Sequence, residues 1–252
     1  MENNIVYELA AEGYGTILLN RADKRNAISF AMARRLSELL EDLVQNPPKF
    51  LVIKSAGDRS FCAGGDLTEL HGDLGEEEAF EHLTPMRDML YKLASFPVPT
   101  ICLLQGNAFG GGCELATACD IRIAKDDTRF GFIQSNLGIL PGWGGGALLH
   151  KKVHPSFAMQ WITEGAIFSS EFLLTKGWLH RIVHSDDWAD EKSILEAYIK
   201  KSTDQLLFLK SQFMQSINSE DLYENMTAES KQSAFLWPSE EHKRAVSQFL
   251  NK

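Results

Sequence analysis

Hydrophobic positions along the chain fall into short continuous blocks and longer helical stripes. Ile5–Leu9 and Gly15–Asn20 are two such blocks, separated by Glu12-Gly13-Tyr14-Gly15, and they predict two strands joined by a turn. Met32, Leu36, Leu39, Leu40 and Leu43 share one face of a helix that Ser29 is placed to cap and Asn46-Pro47-Pro48 ends. Phe50–Lys54 and Val98–Leu104 predict buried strands, with Pro97 and Pro99 flanking the start of the second. Between them, the acidic, glycine-containing run 71–80 predicts a mobile surface loop, followed by a helix over 86–96. Ile121–Ala124 and the start of Arg129–Phe132 predict two further strands. Helical periodicity then places helices at about 147–163, 170–177, 188–215, 219–236 and 239–251. The pattern predicts an α/β core over 1–187 and a helical region over 188–252, with no repeat spanning the whole chain.

The blocks are punctuated by three glycine-rich stretches. The central one runs from Gln105 to Asp120 and includes Gly110-Gly111-Gly112-Cys113-Glu114. It follows a strand and opens a helix, an order that leaves backbone N–H groups unpaired at a positive helix end. Glu114 falls in the first helical turn beside those amides. A carbonyl bound there would have its developing charge stabilised and a proton-transfer group within reach. The same residues equally suit a close helix–sheet contact, with Glu114 merely favouring a helix N-terminus. Phe61–Leu67, with Gly64-Gly65-Asp66, repeats the strand–turn–helix order and is a source for a second amide, or an ordinary turn capped by Asp66. Leu137–Gly146 is the third. None has the Gly-Lys-Ser/Thr ending of a phosphate loop or the spaced glycines of a dinucleotide fingerprint.

Composition narrows the function classes. A chain of 252 residues that is 44% hydrophobic can bury a substantial core. The net charge of −9 and the absence of a basic tract argue against nucleic acid as a partner. The apolar runs are too short to cross a bilayer, and the first residues lack the basic start and apolar core of a signal peptide. Cys62, Cys102, Cys113 and Cys119 have no CxxC spacing, which predicts reduced buried thiols, no metal site and a cytoplasmic protein.

Taken together, Asn20-Arg21 with Asn26-Ala27-Ile28, Phe61–Leu67, Gln105–Glu114, Cys119–Ala124 and Leu137–Gly145 resemble the crotonase superfamily, the enoyl-CoA hydratase/isomerase family. The resemblance covers nearly the whole chain. It implies a spiral of ββα units with a helical C-terminal region, usually a homotrimer or a hexamer of paired trimers. It also implies an acyl-CoA thioester substrate, with coenzyme A as part of the substrate and no separate cofactor. Residue by residue, it puts the oxyanion hole at the amides of Ala63 and Gly111, and the catalytic acid/base at Glu114. Ala63, Gly64, Gly65, Asp66 and Leu67 would line the adenine and pantetheine channel, with Gly110, Gly111, Leu140 and Trp143 as further substrate- or CoA-binding residues. Arg21, Lys24 and Arg25 fall where the family approaches the CoA nucleotide, with Arg59 and Lys210 as further candidates for its phosphates. The chain ends without the basic tail often seen in relatives, so no CoA contact is expected from one.

The resemblance has informative departures. Where hydratases of the family, and its hydroxyisobutyryl-CoA hydrolases, carry a second glutamate, this chain has Gln134. Asn136 replaces the aspartate of dienoyl-CoA isomerases, and Gly142 the aspartate nucleophile of the dehalogenase branch. Decarboxylases of malonyl-type thioesters resemble the chain better, since they keep the first glutamate and dispense with the second. Decarboxylation is therefore the preferred expectation. A hydratase or isomerase with a single glutamate is the alternative, and a catalytically weak acyl-CoA-binding protein the reading from another class. His71, His82 and Arg87 are expected as candidates to orient a substrate carboxylate. The apolar stripes through Leu206, Leu207, Leu209, Phe213, Phe235, Leu236 and Phe249 are expected to pack on the core or on a neighbouring subunit.

Overall fold

A computed structural model describes residues 4–70, 73–217 and 221–250. His71 therefore lies outside the described residues, as does the side chain of Phe249. The chain opens with β1 (Ile5–Leu9), β2 (Gly15–Leu19) and α1 (Phe30–Gln45). Ser29 caps α1 as the sequence predicts, its hydroxyl accepting from the Met32 amide. Then come β3 (Leu51–Ser55), β4 (Ser60–Cys62), α2 (Leu67–Leu70), α3 (Glu76–Ala94), β5 (Thr100–Leu104), β6 (Asn107–Phe109) and α4 (Gly111–Ala118). These are followed by β7 (Ile121–Lys125), β8 (Arg129–Gly131), α5 (Gly145–Lys152), α6 (Pro155–Glu164), β9 (Ile167–Ser169), α7 (Ser170–Thr175) and β10 (Arg181–Val183). The C-terminal helices are α8 (Glu191–Ile199), α9 (Thr203–Ser216), α10 (Leu222–Leu236) and α11 (Glu240–Leu250).

The strands divide between two sheets, ordered β1-β2-β3-β5-β7-β10 and β4-β6-β8-β9. In each of the triplets β3–β4–α3, β5–β6–α4 and β7–β8–α5, the first, longer strand joins one sheet and the second, shorter strand joins the other. β3, β5 and β7 are parallel neighbours, and so are β4, β6 and β8. Each turn of chain thus stacks on the one before it, forming the spiral of ββα units expected from the resemblance.

Strand alternation serves two cores at once. Leu51 and Ile53 of β3, Cys102 and Leu104 of β5, and Ala124 of β7 face the main core with α1 and α3. Val52, Ile101, Leu103 and Ile123 face the other way, against Ile194, Leu195 and Leu206 of α8 and α9. A sheet buried on both faces explains why these strands read as continuous apolar blocks.

Several boundaries differ from the sequence expectation. Residues 76–80 are helical, not loop, because Glu76, Glu77 and Glu78 suit the positive first turn of α3 and Glu78 accepts from the Gly75 amide at 3.0 Å. Pro85 lies inside this helix, which therefore begins well before the expected residue 86. The helix expected over 147–163 is two, divided at His154 because Pro155 starts a helix and cannot continue one. Likewise, 188–215 is broken at Lys200–Ser202, where the Ser202 hydroxyl caps α9.

The C-terminal helices complete the site rather than forming a separate lobe. α10 packs on α3 and α5. Its Ser230 and Ser233 hydroxyls donate to the Gly142 carbonyl at 2.7 Å and the Leu140 carbonyl at 2.9 Å. Among the described residues, no helix is long and apolar enough to cross a membrane.

Candidate active site

The three glycine-rich stretches meet around one narrow cleft of about 100 Å³. Gly64 lies against the start of α4: a Cβ there would sit 3.1 Å from the Phe109 carbonyl and 3.4 Å from the Gly111 nitrogen. Gly112 is packed still more tightly, with only 2.1 Å between such a carbon and the Cys62 carbonyl oxygen. Trp143 covers Gly111, its ring 2.4 Å from the place a Cβ would take. The glycines are thus required by close approach, and they press the 61–67 turn, the start of α4 and the 137–146 loop together.

The backbone corrects one sequence expectation. The Ala63 amide donates to the Arg25 carbonyl at 3.0 Å, so it is already engaged. Ile28 bridges to Gly65 by using the Gly64 carbonyl and the Asp66 amide, which leaves the intervening Gly65 N–H directed away from that pairing. Among the described residues, neither Gly65 N–H nor Gly111 N–H donates to a backbone acceptor, and both residues line the cleft. The amide pair suited to an oxyanion is therefore Gly65 and Gly111, with Ala63 remaining a lining residue. The alternation of bonding directions along an extended segment shifts the donor by two residues.

Glu114 is 1% exposed. Its Oε2 accepts from the Trp143 and Gly145 amides, each at 2.9 Å, and its Oε1 accepts from Gln134 Nε2 at 2.7 Å. Burial pushes this carboxyl up to about 7, against the opposing pull of those donors. Near neutral pH it is therefore present in both acid and base forms. Among the described residues it is the sole titratable side chain lining the cleft, whose walls include Leu83, Ile133, Leu140, Trp143 and Trp237. Gln134 touches the expected carboxylate. Its own Oε1 is buried without a hydrogen bond.

The helix that carries this group is held at its other end too. Lys152 donates to the Thr117, Ala118 and Cys119 carbonyls at 2.7, 3.2 and 2.8 Å, and Arg122 donates to the Cys119 carbonyl at 2.6 Å. Two cations thus meet the last carbonyls of α4, where the helix is negative. Burial lowers Lys152 to about 7 and Arg122 to about 10.

Residues 10–252 match the family described as enoyl-CoA hydratase/isomerase. The chain belongs to that family. Methylglutaconyl-CoA hydratase, mitochondrial, of Mus musculus is 31% identical over 188 residues, covering 73% of this chain and 60% of that protein. Enoyl-CoA hydratase domain-containing protein 2, mitochondrial, also of Mus musculus, is 37% identical over 61% of this chain and 52% of its own length. The chain thus spans little more than half of these two relatives. A probable enoyl-CoA hydratase of Mycobacterium tuberculosis is 28% identical over 94% of this chain and 91% of its own length. A crystal structure of an enoyl-CoA hydratase from Mycobacterium avium subsp. paratuberculosis shares the fold, with a TM-score of 0.86 at 20% identity over 98% of this chain and 96% of that one.

Within this family framework the residues expected to meet CoA separate into three groups. Gly64, Gly65, Leu67, Gly110, Gly111, Leu140 and Trp143 line the cleft with Ala63. Lys24, Arg25 and Arg59 are exposed. Arg21 is not a free phosphate ligand: its guanidinium lies 2.6 Å from Asp66 Oδ2 and donates to the Ala27 carbonyl. It braces the 21–27 segment against the turn that carries Asp66. Asp66 is used internally too. Its burial opposes ionisation, but bonds from Thr68 and Arg21 outweigh this and keep the carboxyl below its ordinary range.

Lys210 is removed from the phosphate candidates altogether. It is 3% exposed and bonded to both oxygens of Asp120, at 2.6 and 2.7 Å. Arg87 does not line the cleft either; it is bound to Asp88 and to the Tyr223 hydroxyl in the contact between α3 and α10. His82 packs edge-on against Phe30, also away from the cleft. Asn136 donates to the Gly165 carbonyl. Leu83, Ser233 and Trp237 were not among the sequence candidates, yet they line the cleft. Their only sequence signal is helical spacing, which does not say what a helix face covers.

Proposed function

We propose that the chain acts on acyl-CoA thioesters through an enolate whose oxygen is held by the Gly65 and Gly111 amides, with decarboxylation of a malonyl-type thioester the preferred reaction. The observation that carries this reading is Glu114, the one carboxyl among the described residues that line a largely apolar cleft. Loss of CO₂ breaks the bond between the α-carbon and the carboxylate and sends its electron pair into the thioester carbonyl. No base is required. One protonated group, Glu114, then delivers a proton to the α-carbon. An apolar wall favours the step because it destabilises the substrate carboxylate relative to CO₂. The coenzyme A portion would enter along Ala63–Leu67, and no separate cofactor takes part.

A second reading, a single-glutamate hydratase or isomerase, is supported by the unbonded Gln134 Oε1, which suits an O–H donor such as water. The names of the relatives point the same way. Product analysis by mass with crotonyl-CoA, a 3-enoyl-CoA, methylmalonyl-CoA and ethylmalonyl-CoA separates the readings. Turnover of a malonyl-type substrate is expected. Efficient hydration of crotonyl-CoA with no turnover of malonyl-type thioesters overturns the preference, and binding without any turnover points to an acyl-CoA-binding protein.

Gln134→Glu sharpens the test. It places a second carboxyl at the 2.7 Å contact with Glu114, where two like charges cannot both be held comfortably. In a decarboxylase it should lower turnover of a malonyl-type thioester by about tenfold or more, because the new charge repels the substrate carboxylate. In a hydratase the same change should raise crotonyl-CoA hydration by restoring the missing acid.

Assembly as a homotrimer or hexamer belongs to the same proposal. Leu206 of the C-terminal stripe is buried within the chain, but Phe208, Leu209 and Phe235 remain 63%, 51% and 66% exposed. Such apolar surface is suited to a neighbouring subunit. Sedimentation at micromolar concentration should show three or six chains; a strict monomer would count against it.

A further inference from the structure

Glu229, on α10, takes no part in the chemistry described so far, yet it shares a turn with Glu114. Glu114 Oε2 takes the amides of Trp143 and Gly145. Glu229 takes the next two, from Gly146 at 3.2 Å and Ala147 at 2.5 Å. Two carboxylates from different helices therefore divide one run of amides at the start of α5. The turn has no slack between them. A Cβ on Gly145 would lie 2.3 Å from Glu114 Cβ, and one on Gly146 would lie 2.7 Å from Glu229 Oε2. Glu114 faces the cleft on the inner side, whereas Glu229 lines a separate outer cavity with His150, Lys151 and Asn225.

We propose that Glu229 is a positioning residue for Glu114, holding the 143–147 turn from its outer side so that the amides seating Glu114 stay in place. The inference rests on the reading of Glu114 as the acid/base. Three features support it. The amides that seat the two groups are adjacent in sequence, so displacement of one carboxylate moves the donors of the other. Both groups draw on the same positive helix end, so each weakens the other's hold on a negative charge. Burial, together with the charge of Glu114, also raises the Glu229 carboxyl well above its ordinary value, so Glu229 keeps its proton while Glu114 exchanges its own. Among the described residues, other titratable groups also face the pair. Cys113, beside Glu114 on α4, is a buried thiol pushed further toward its neutral form, and His150 and Lys151 face Glu229 from α5.

The test reads Glu114 without needing turnover. In protein carrying ¹³C-carboxyl glutamate, the Glu114 resonance is assigned by its loss in Glu114→Gln and titrated by NMR. The Glu229 resonance is assigned in the same way from Glu229→Gln. In the wild type Glu229 should release its proton at a higher pH than Glu114, and in Glu114→Gln the Glu229 midpoint should fall by about one pH unit, because the neighbouring charge is gone. Glu229→Gln, which keeps an oxygen for the Gly146 and Ala147 amides, should leave the Glu114 midpoint near its wild-type value. Glu229→Ala, which leaves those amides without their acceptor, should move the Glu114 midpoint and lower kcat. A Glu229 midpoint that does not move in Glu114→Gln overturns the proposal, whether or not the Glu229 variants fold. So does a Glu114 midpoint in Glu229→Ala that matches the wild type. Should the coupled titration appear in a protein with no acyl-CoA activity, the pairing stands and the reading of Glu114 as the acid/base fails.

Discussion

Glu114→Gln is expected to lower kcat by about 10²- to 10⁴-fold, the usual contribution of a positioned acid or base, with a much smaller change in KM. The reason is local. Among the described residues no other titratable side chain lines the cleft, so nothing nearby can take over the proton transfer. The substituted amide oxygen still accepts from the Trp143 and Gly145 amides, so the turn keeps its seat and binding survives. The pH behaviour supplies a second readout. In the wild type, proton delivery should decline as pH rises through about 7, where the carboxyl ionises; in the variant that limb disappears. Stability should respond as well. A carboxyl raised on folding contributes stability at low pH and loses it as pH rises through its folded value. The melting temperature of Glu114→Gln relative to wild type should therefore improve as pH rises from 4.5 to about 7. A variant with near-wild-type kcat would remove Glu114 from the chemistry.

The second large effect is expected from Gly112→Ala. The added carbon would lie 2.1 Å from the Cys62 carbonyl oxygen and 2.9 Å from its carbon. These are backbone atoms of β4, which cannot turn aside as a side-chain tip can. The clash has to be relieved by separating α4 from the 61–67 turn, and that separates Gly111 from Gly65. Loss of one oxyanion donor typically costs about 10²- to 10³-fold in kcat, and overpacking adds about 1–3 kcal/mol of destabilisation. Gly75→Ala is a useful control, since the nearest atom there is Glu78 Oε2 at 3.8 Å. Steady-state kinetics beside a thermal melt distinguishes the two contributions. Unchanged kcat in a folded Gly112→Ala protein would mean that the two amides do not act together.

Much of this arrangement was legible in the residues, for physical reasons that can be named. Glu114 was found because a carboxylate in the first turn after three glycines has a short menu of environments. The long strands were found because β3, β5 and β7 are apolar on both faces. β6 and β9 escaped notice because each has three residues, too few to show alternation, whereas β8 was legible at the start of Arg129–Phe132. The oxyanion donor was misplaced from Gly65 to Ala63 because residue type does not reveal the direction of an N–H. Only the Ile28 bridge fixes that direction. Arg21 and Lys210 were read as available cations, yet each has a carboxylate partner supplied by a distant segment, Asp66 and Asp120. Glu229 was invisible for the same reason: the amides it meets lie 82 and 83 positions earlier.

The clamping of α4 at both ends has a consequence for how such a protein can change. Its first turn is wedged against Cys62 and Trp143, and its last carbonyls are tied to Lys152 and Arg122. Substitutions at Leu83, Gln134, Leu140 or Ser233 alter what the cleft accepts from elements that pack around this helix. Charge stabilisation and reaction choice are therefore inherited from different parts of the chain. A lineage could exchange the group at position 134, or reshape the wall supplied by α3 and α10, while the amides proposed here to hold an enolate stay in place.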